Sequence, residues 1–109
     1  MDVEHLKENA ERASQLLKAM GNAHRLMILC NLVEGERRVG DLERIVGLSQ
    51  SALSQHLARL RRDGLVKTRR VAQTIFYSLA GDEAGAVIRT LYGLYGAREA
   101  GGRAIPPAA

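Results

Sequence analysis

Apolar residues recur at three- and four-residue steps along most of the chain, and one stretch exchanges that rhythm for strict alternation. Val3, Leu6, Ala10, Ala13 and Leu17, with charged residues between them, predict an amphipathic helix over about 3–19. Gly21 and Asn22 break it, and Asn22 is placed to cap a second helix over 23–34, where Leu26, Ile28, Leu29, Leu32 and Val33 leave little polar surface. This is the expected central buried helix. Gly35 ends it, and Glu36 to Val39 lead into a short helix over 40–46 whose apolar positions are Val39, Leu42, Ile45 and Val46. Gly47 and Leu48 then turn the chain into Ser49, a capping residue, and into Leu53, Leu57 and Leu60 at i, i+4 and i+7. Asp63 and Gly64 stop that helix. Val66–Val71 and Thr74–Leu79 are rich in Val, Thr, Ile, Phe and Tyr, and Ile75, Tyr77 and Leu79 alternate, which predicts two strands joined at Ala72-Gln73. Gly81 and Asp82 open a last helix over 83–95 with Val87, Ile88, Leu91, Leu94 and Tyr95 in one stripe.

The order is α-α-α-α-β-β-α, a mainly α domain with a two-stranded β-hairpin over 1–95, followed by a Gly-, Ala- and Pro-rich stretch over 96–109 expected to be a flexible tail. A short helix, a glycine turn and a second helix with a polar leading face make a helix-turn-helix, and a hairpin directly after it makes a wing. The first and last helices carry apolar faces with no evident partner in so small a core. Pairing them across a two-fold axis in a homodimer would bury both.

The face of the Ser49 helix opposite its leucines carries Gln50, Ser51, Ser54 and Gln55 and then Arg59, Arg61 and Arg62. Short hydrogen-bonding side chains near a helix N-terminus suit base edges in a major groove, and cations suit the phosphates beside it. Lys67, Arg69 and Arg70 on the outer side of the wing, with Gln73 at its tip, are expected to reach the backbone or minor groove flanking the site. Charge supports this locally rather than globally. The chain of 109 residues is only +4, yet residues 49–70 hold six cations against Asp63, a net +5 that leaves −1 for everything else.

Other functions find less support. One cysteine, Cys30, excludes an intramolecular disulfide framework and fits a reduced cytoplasmic setting. Neither an apolar run of membrane-spanning length nor a secretory leader is read in the chain. His5, His24 and His56 lack metal-ligand spacing, and neither a phosphate loop nor a nucleophile motif is present, so no metal, no cofactor and no catalysis are expected. Two other classes stay open on composition: a winged-helix module for protein association, and a non-specific DNA-architectural protein with steep salt dependence but no footprint.

The phrases LSQSALSQHLARLRRDGLV and QTIFYSL, with the element order, resemble the ArsR (ArsR/SmtB) family of bacterial dimeric winged-helix repressors over about residues 12–95. That resemblance implies a homodimer on two-fold double-stranded operator DNA, contacts from Gln50, Ser51, Ser54 and Gln55, and release when an inducer or a chemical modification favours a low-affinity state. The family's metal positions are not matched: Val39, Gly40, Asp41 and Leu42 stand where a close cysteine pair would be, and residues 82–95 hold only Asp82 and Glu83 as candidate ligands. Within the family, RLMILCNLVEGE, RRVAQTIFYSL and VIRTLYGLYG resemble the thiol-based, sulfide- or persulfide-responsive branch. The branch's first cysteine corresponds to Cys30, while Gly96 stands where the second would be, so a within-subunit bridge cannot form. Cys30 is then a packed apolar residue, a one-thiol sensor of reactive sulfur or oxidant, or a bystander to an inducer bound elsewhere.

Overall fold

The computed structural model describes residues 2–96. The expected first helix is two. Helix α1, Val3–Glu8, and helix α2, Ala10–Met20, meet at Asn9, whose side-chain amide donates to the His5 carbonyl at 3.0 Å. Asn9 itself leaves helical geometry, with φ −109° and ψ 9°. Asn22 caps helix α3, Ala23–Val33, by accepting from the His24 and Arg25 amides at 2.9 and 3.1 Å. Ile28, Leu29 and Leu32 of α3 are fully enclosed, and α3 packs against α2, α4, α5, α6 and β3. It is the post around which the fold is assembled.

Helix α4, Val39–Val46, starts one residue before expectation. Gly47 caps it in the left-handed region, φ +76°, with its amide donating to the Glu43 carbonyl at 3.0 Å. That conformation suits glycine and makes the sharp turn into helix α5, Gln50–Arg62. Ser49 Oγ accepts from the Ala52 amide at 3.2 Å, so the expected cap is in place. Leu53, Leu57 and Leu60 are buried together against α3, each contributing about 1.5–3 kcal/mol of apolar transfer.

The sheet has three strands rather than two. Arg37–Arg38 forms β1, and the order is β1-β3-β2, all antiparallel, with Val66–Val71 as β2 and Thr74–Leu79 as β3. Two charged residues carry no alternation, so β1 left no apolar signature. The hairpin turns at Ala72, which holds φ +56°. Helix α6, Glu83–Leu91, begins at Asp82 without a side-chain cap and gives way to a π-helical turn, Tyr92–Gly96, where an uninterrupted helix was expected. Gly93 and Gly96 lower the helical preference there. A Cβ at position 96 would lie 2.6 Å from Tyr92 Cδ1, so glycine lets the Tyr92 ring lie against the backbone.

An ion pair of 2.7 Å between Arg12 and Glu83 sets α2 beside the start of α6. Val3, Leu6 and Leu17 on one side, and Tyr92, Leu94 and Tyr95 on the other, remain exposed. The radius of gyration is 15.5 Å over extents of 47 × 43 × 21 Å, against the roughly 13 Å expected for a sphere-like chain of this size. The molecule is flat rather than spherical. Among the described residues no helix is long and apolar enough to cross a membrane. The expected tail lies, apart from Gly96, outside the described residues.

Candidate nucleic-acid interface

With its leucines turned inward, α5 presents Gln50, Ser51, Ser54, Gln55, Arg61 and Arg62 to solvent. Gln50 and Ser54 line one cleft of about 570 Å³, together with Arg38 at the N-cap of α4, Asp41 in its first turn, Arg44 in its last, and Gln73, Thr74 and Ile75 from the wing. Ser54, Arg61 and Arg62 line an adjoining cleft with Tyr77. Gln50 and Ser54, the cations two to three turns on, and the wing tip therefore meet on one side of the molecule, while Ser51 and Gln55 line neither cleft.

The wing cations do not share one side. Register places Thr68 opposite Tyr77, Arg69 opposite Phe76 and Arg70 opposite Ile75. Because side chains alternate along a strand, Arg70 lies on the face of Ile75 and Tyr77, which line the clefts, while Lys67 and Arg69 lie on the reverse face. The expectation that all three share one outer surface is corrected by the pleat. Arg69 is also engaged within the fold: Nε and Nη2 each donate to Glu36 at 2.8 Å, and its guanidinium lies 4.8 Å from the centre of the Phe76 ring. The hydrogen bond from Arg69, with its charge and that of Lys67, holds the Glu36 carboxyl below the usual range.

Arg59 and Arg62 share one carboxylate, Asp63, at 3.2 and 3.7 Å. Among the described residues Arg61, Lys67 and Arg70 make no ion pair. Arg38 and Arg44 were not anticipated as interface residues, although their i and i+3 spacing about Asp41 is legible in the sequence. Arg38 lies in the connection to α4 and Arg44 in the last turn of that helix, where neither carries a motif of its own.

A second group ties α5 to the dimension of the fold behind it. Arg25 donates from Nε to the Ala19 carbonyl at 2.6 Å and from Nη2 to the Lys18 carbonyl at 3.3 Å, closing the end of α2. Its Nη1 lies 3.4 Å from Nδ1 of His56 on α5, and the His24 and His56 rings are 5.6 Å apart. Burial first, then the neighbouring Arg25 and His24, push the His56 imidazole below its ordinary value.

Cys30 is half-buried on α3, facing a cleft of about 400 Å³ between α3 and the end of α6 that includes Met27, Ile88 and Tyr92. Burial pushes its thiol up. Among the described residues, no three His, Cys, Asp or Glu side chains gather as metal ligands.

The sequence profile of the bacterial regulatory protein, arsR family, matches residues 22–68. Over 95 residues the chain is 54% identical to the transcriptional activator HlyU of Vibrio cholerae, covering 87% of this chain and 88% of that protein. The chain belongs to the ArsR family. Its backbone is similar to the crystal structure of the transcriptional repressor BigR from Xylella fastidiosa, with TM-score 0.85 and 41% identity over 90% of this chain and all of that one. It is also similar to the homodimeric winged helix-turn-helix DNA-binding domain Mb0332 from Mycobacterium bovis, with TM-score 0.71 and 28% identity over 80% and 81% of the two chains. As an ArsR-family member with these neighbours, the protein is a winged helix-turn-helix transcription regulator and not an enzyme.

Proposed function

We propose that this ArsR-family protein is a homodimer that reads a two-fold operator in double-stranded DNA and represses transcription where that operator overlaps a promoter. The observation that carries the reading is the shared cleft: Gln50 and Ser54 of α5, Gln73 of the wing and the start of α4 line one concave surface. Gln50, Ser51, Ser54 and Gln55 read base edges, since each offers a short donor or acceptor near the helix start. Arg61, Arg62 and Arg70 hold phosphates on the same side, Arg59 and Lys67 add positive potential around it, and Arg69 fixes the wing through Glu36. Exposed apolar residues of α1, α2 and the turn Tyr92–Gly96 supply the dimer face, which would set two copies of α5 about 34 Å apart in successive major grooves.

The signal that empties the operator is a separate matter. A within-subunit thiol pair is unavailable, because Cys30 is the chain's one cysteine. The raised thiol favours the packed-residue reading of Cys30 over a one-thiol sensor, since a protonated thiol is a poor nucleophile.

Gln50→Ala tests base reading. It should weaken binding to the selected operator by about 1–3 kcal/mol while leaving binding to random duplex of equal length within about twofold. Equal losses on both duplexes would remove Gln50 from base reading. Wild-type protein with steep salt dependence but no operator preference would instead mark an architectural protein.

A further inference from the structure

Asp41 sits in the first turn of α4 with a guanidinium on either side. It accepts from Arg38 Nε at 3.3 Å and Nη2 at 3.5 Å, and also from Arg44 Nη2. The carboxylate is shielded, its side chain 24% exposed, whereas the Arg44 side chain is 72% exposed. Two cations on one carboxylate leave a net positive charge, unlike the neutral Glu36 and Arg69 pair on the wing. Each guanidinium also keeps N–H donors free of Asp41, because Arg44 engages it through Nη2 alone and Arg38 leaves Nη1 unused. All three residues line the cleft that holds Gln50 and Ser54.

We infer that Arg38, Asp41 and Arg44 form a preorganised clamp for one DNA backbone phosphate beside α5, with Asp41 as the positioning residue that presets both guanidiniums. The inference rests on the DNA-reading function proposed above and extends it to the first helix of the helix-turn-helix. A phosphate accepts from several N–H donors at once, and guanidiniums held in place lose less side-chain freedom on binding than free ones. Holding a strand along α4 fixes the depth and register of α5, so that Gln50 and Ser54 meet the same base pairs in every complex. Asp41 is itself drawn below the usual carboxylate range, first by the hydrogen bond from Arg38, and therefore stays ionised to hold both partners.

The test compares the full chain with Arg44→Ala and Asp41→Asn by fluorescence anisotropy. The probes are a duplex recovered by selection from genomic fragments and a random duplex of equal length, each over a salt series. Arg44→Ala should weaken both duplexes by about tenfold and flatten the slope of log affinity against log salt by about one per protomer. Asp41→Asn removes a negative charge, so charge alone would tighten both duplexes. The clamp holds a phosphate whatever the sequence, so it instead requires affinity for both duplexes to fall. Unchanged affinity and slope in Arg44→Ala, or a tighter operator complex in Asp41→Asn, would overturn the clamp while wild-type operator preference keeps the parent reading intact. Wild-type protein without that preference would remove both. Far-ultraviolet circular dichroism confirms that each variant is folded.

Discussion

Leu17 is 59% exposed on α2, although a leucine there has no role in the protomer's own core. If a second copy covers that face, Leu17→Ala removes burial that only the dimer enjoys. Complete burial of a leucine is worth about 1.5–3 kcal/mol, so the part left open in the protomer corresponds to about 1–2 kcal/mol per copy. Two-fold symmetry applies the loss twice, about 2–4 kcal/mol, and the dimer dissociation constant should rise roughly thirty- to several-hundred-fold. Alanine is at least as good a helix former as leucine, so α2 itself should persist. Sedimentation equilibrium over a dilution series measures the constant, with Ile45→Ala as the control. Ile45 is also exposed and apolar, but it lies on α4, away from the terminal helices. A Leu17→Ala constant within about twofold of wild type, or an equal shift in Ile45→Ala, would refute the assignment of the dimer face.

Three smaller perturbations test other parts of the account. Ala72→Gly at the hairpin tip relieves a left-handed alanine and should raise the urea midpoint by the equivalent of up to about 1 kcal/mol; a lowered midpoint would show that Ala72 makes contacts outweighing its backbone cost. His56 is held below its ordinary value, so as pH falls below about 6.5 the unfolded chain binds a proton that the folded site resists. Stability is therefore lost as pH falls through that region and levels off once the folded imidazole is protonated. Urea midpoints at mildly acidic and mildly alkaline pH should converge more in His56→Gln than in wild type, and equal losses would sink the His56 contribution. The desolvated Cys30 thiol should react with iodoacetamide more slowly than the same chain unfolded in urea; equal rates would reopen the one-thiol sensor reading.

Elements with strong periodicity were legible from residues alone. Leu53, Leu57 and Leu60 announced the buried face of α5, and thereby its outward face, while Ser49 and Asn22 announced their helices through caps that the structure contains. The remaining features depend on contacts distant in sequence or on segments too short to have a period. Strand β1 is two arginines whose pairing is decided by Tyr77 and Phe76, about forty residues on. The break at Asn9 interrupts an apolar stripe that runs on across it, and the π-turn at Tyr92 turns on a ring seated over a glycine. At the interface, the base-reading face followed from helix geometry, but the roles of the cations did not. Arg69 reads as a free wing charge until Glu36, thirty-three positions earlier, is brought against it. Arg38 and Arg44 gain meaning only when α4 is placed against α5 and the wing.

The central claim is that two copies of α5, joined through the terminal helices, read one two-fold DNA site. Hydroxyl-radical footprinting on a genomic fragment selected by the 109-residue chain tests this most directly. The account predicts two protected half-sites of inverted sequence, centred about 34 Å apart on one face of the duplex, at a stoichiometry of one dimer per site. A single protected half-site occupied by one protomer, or uniform protection without a preferred sequence, would contradict it.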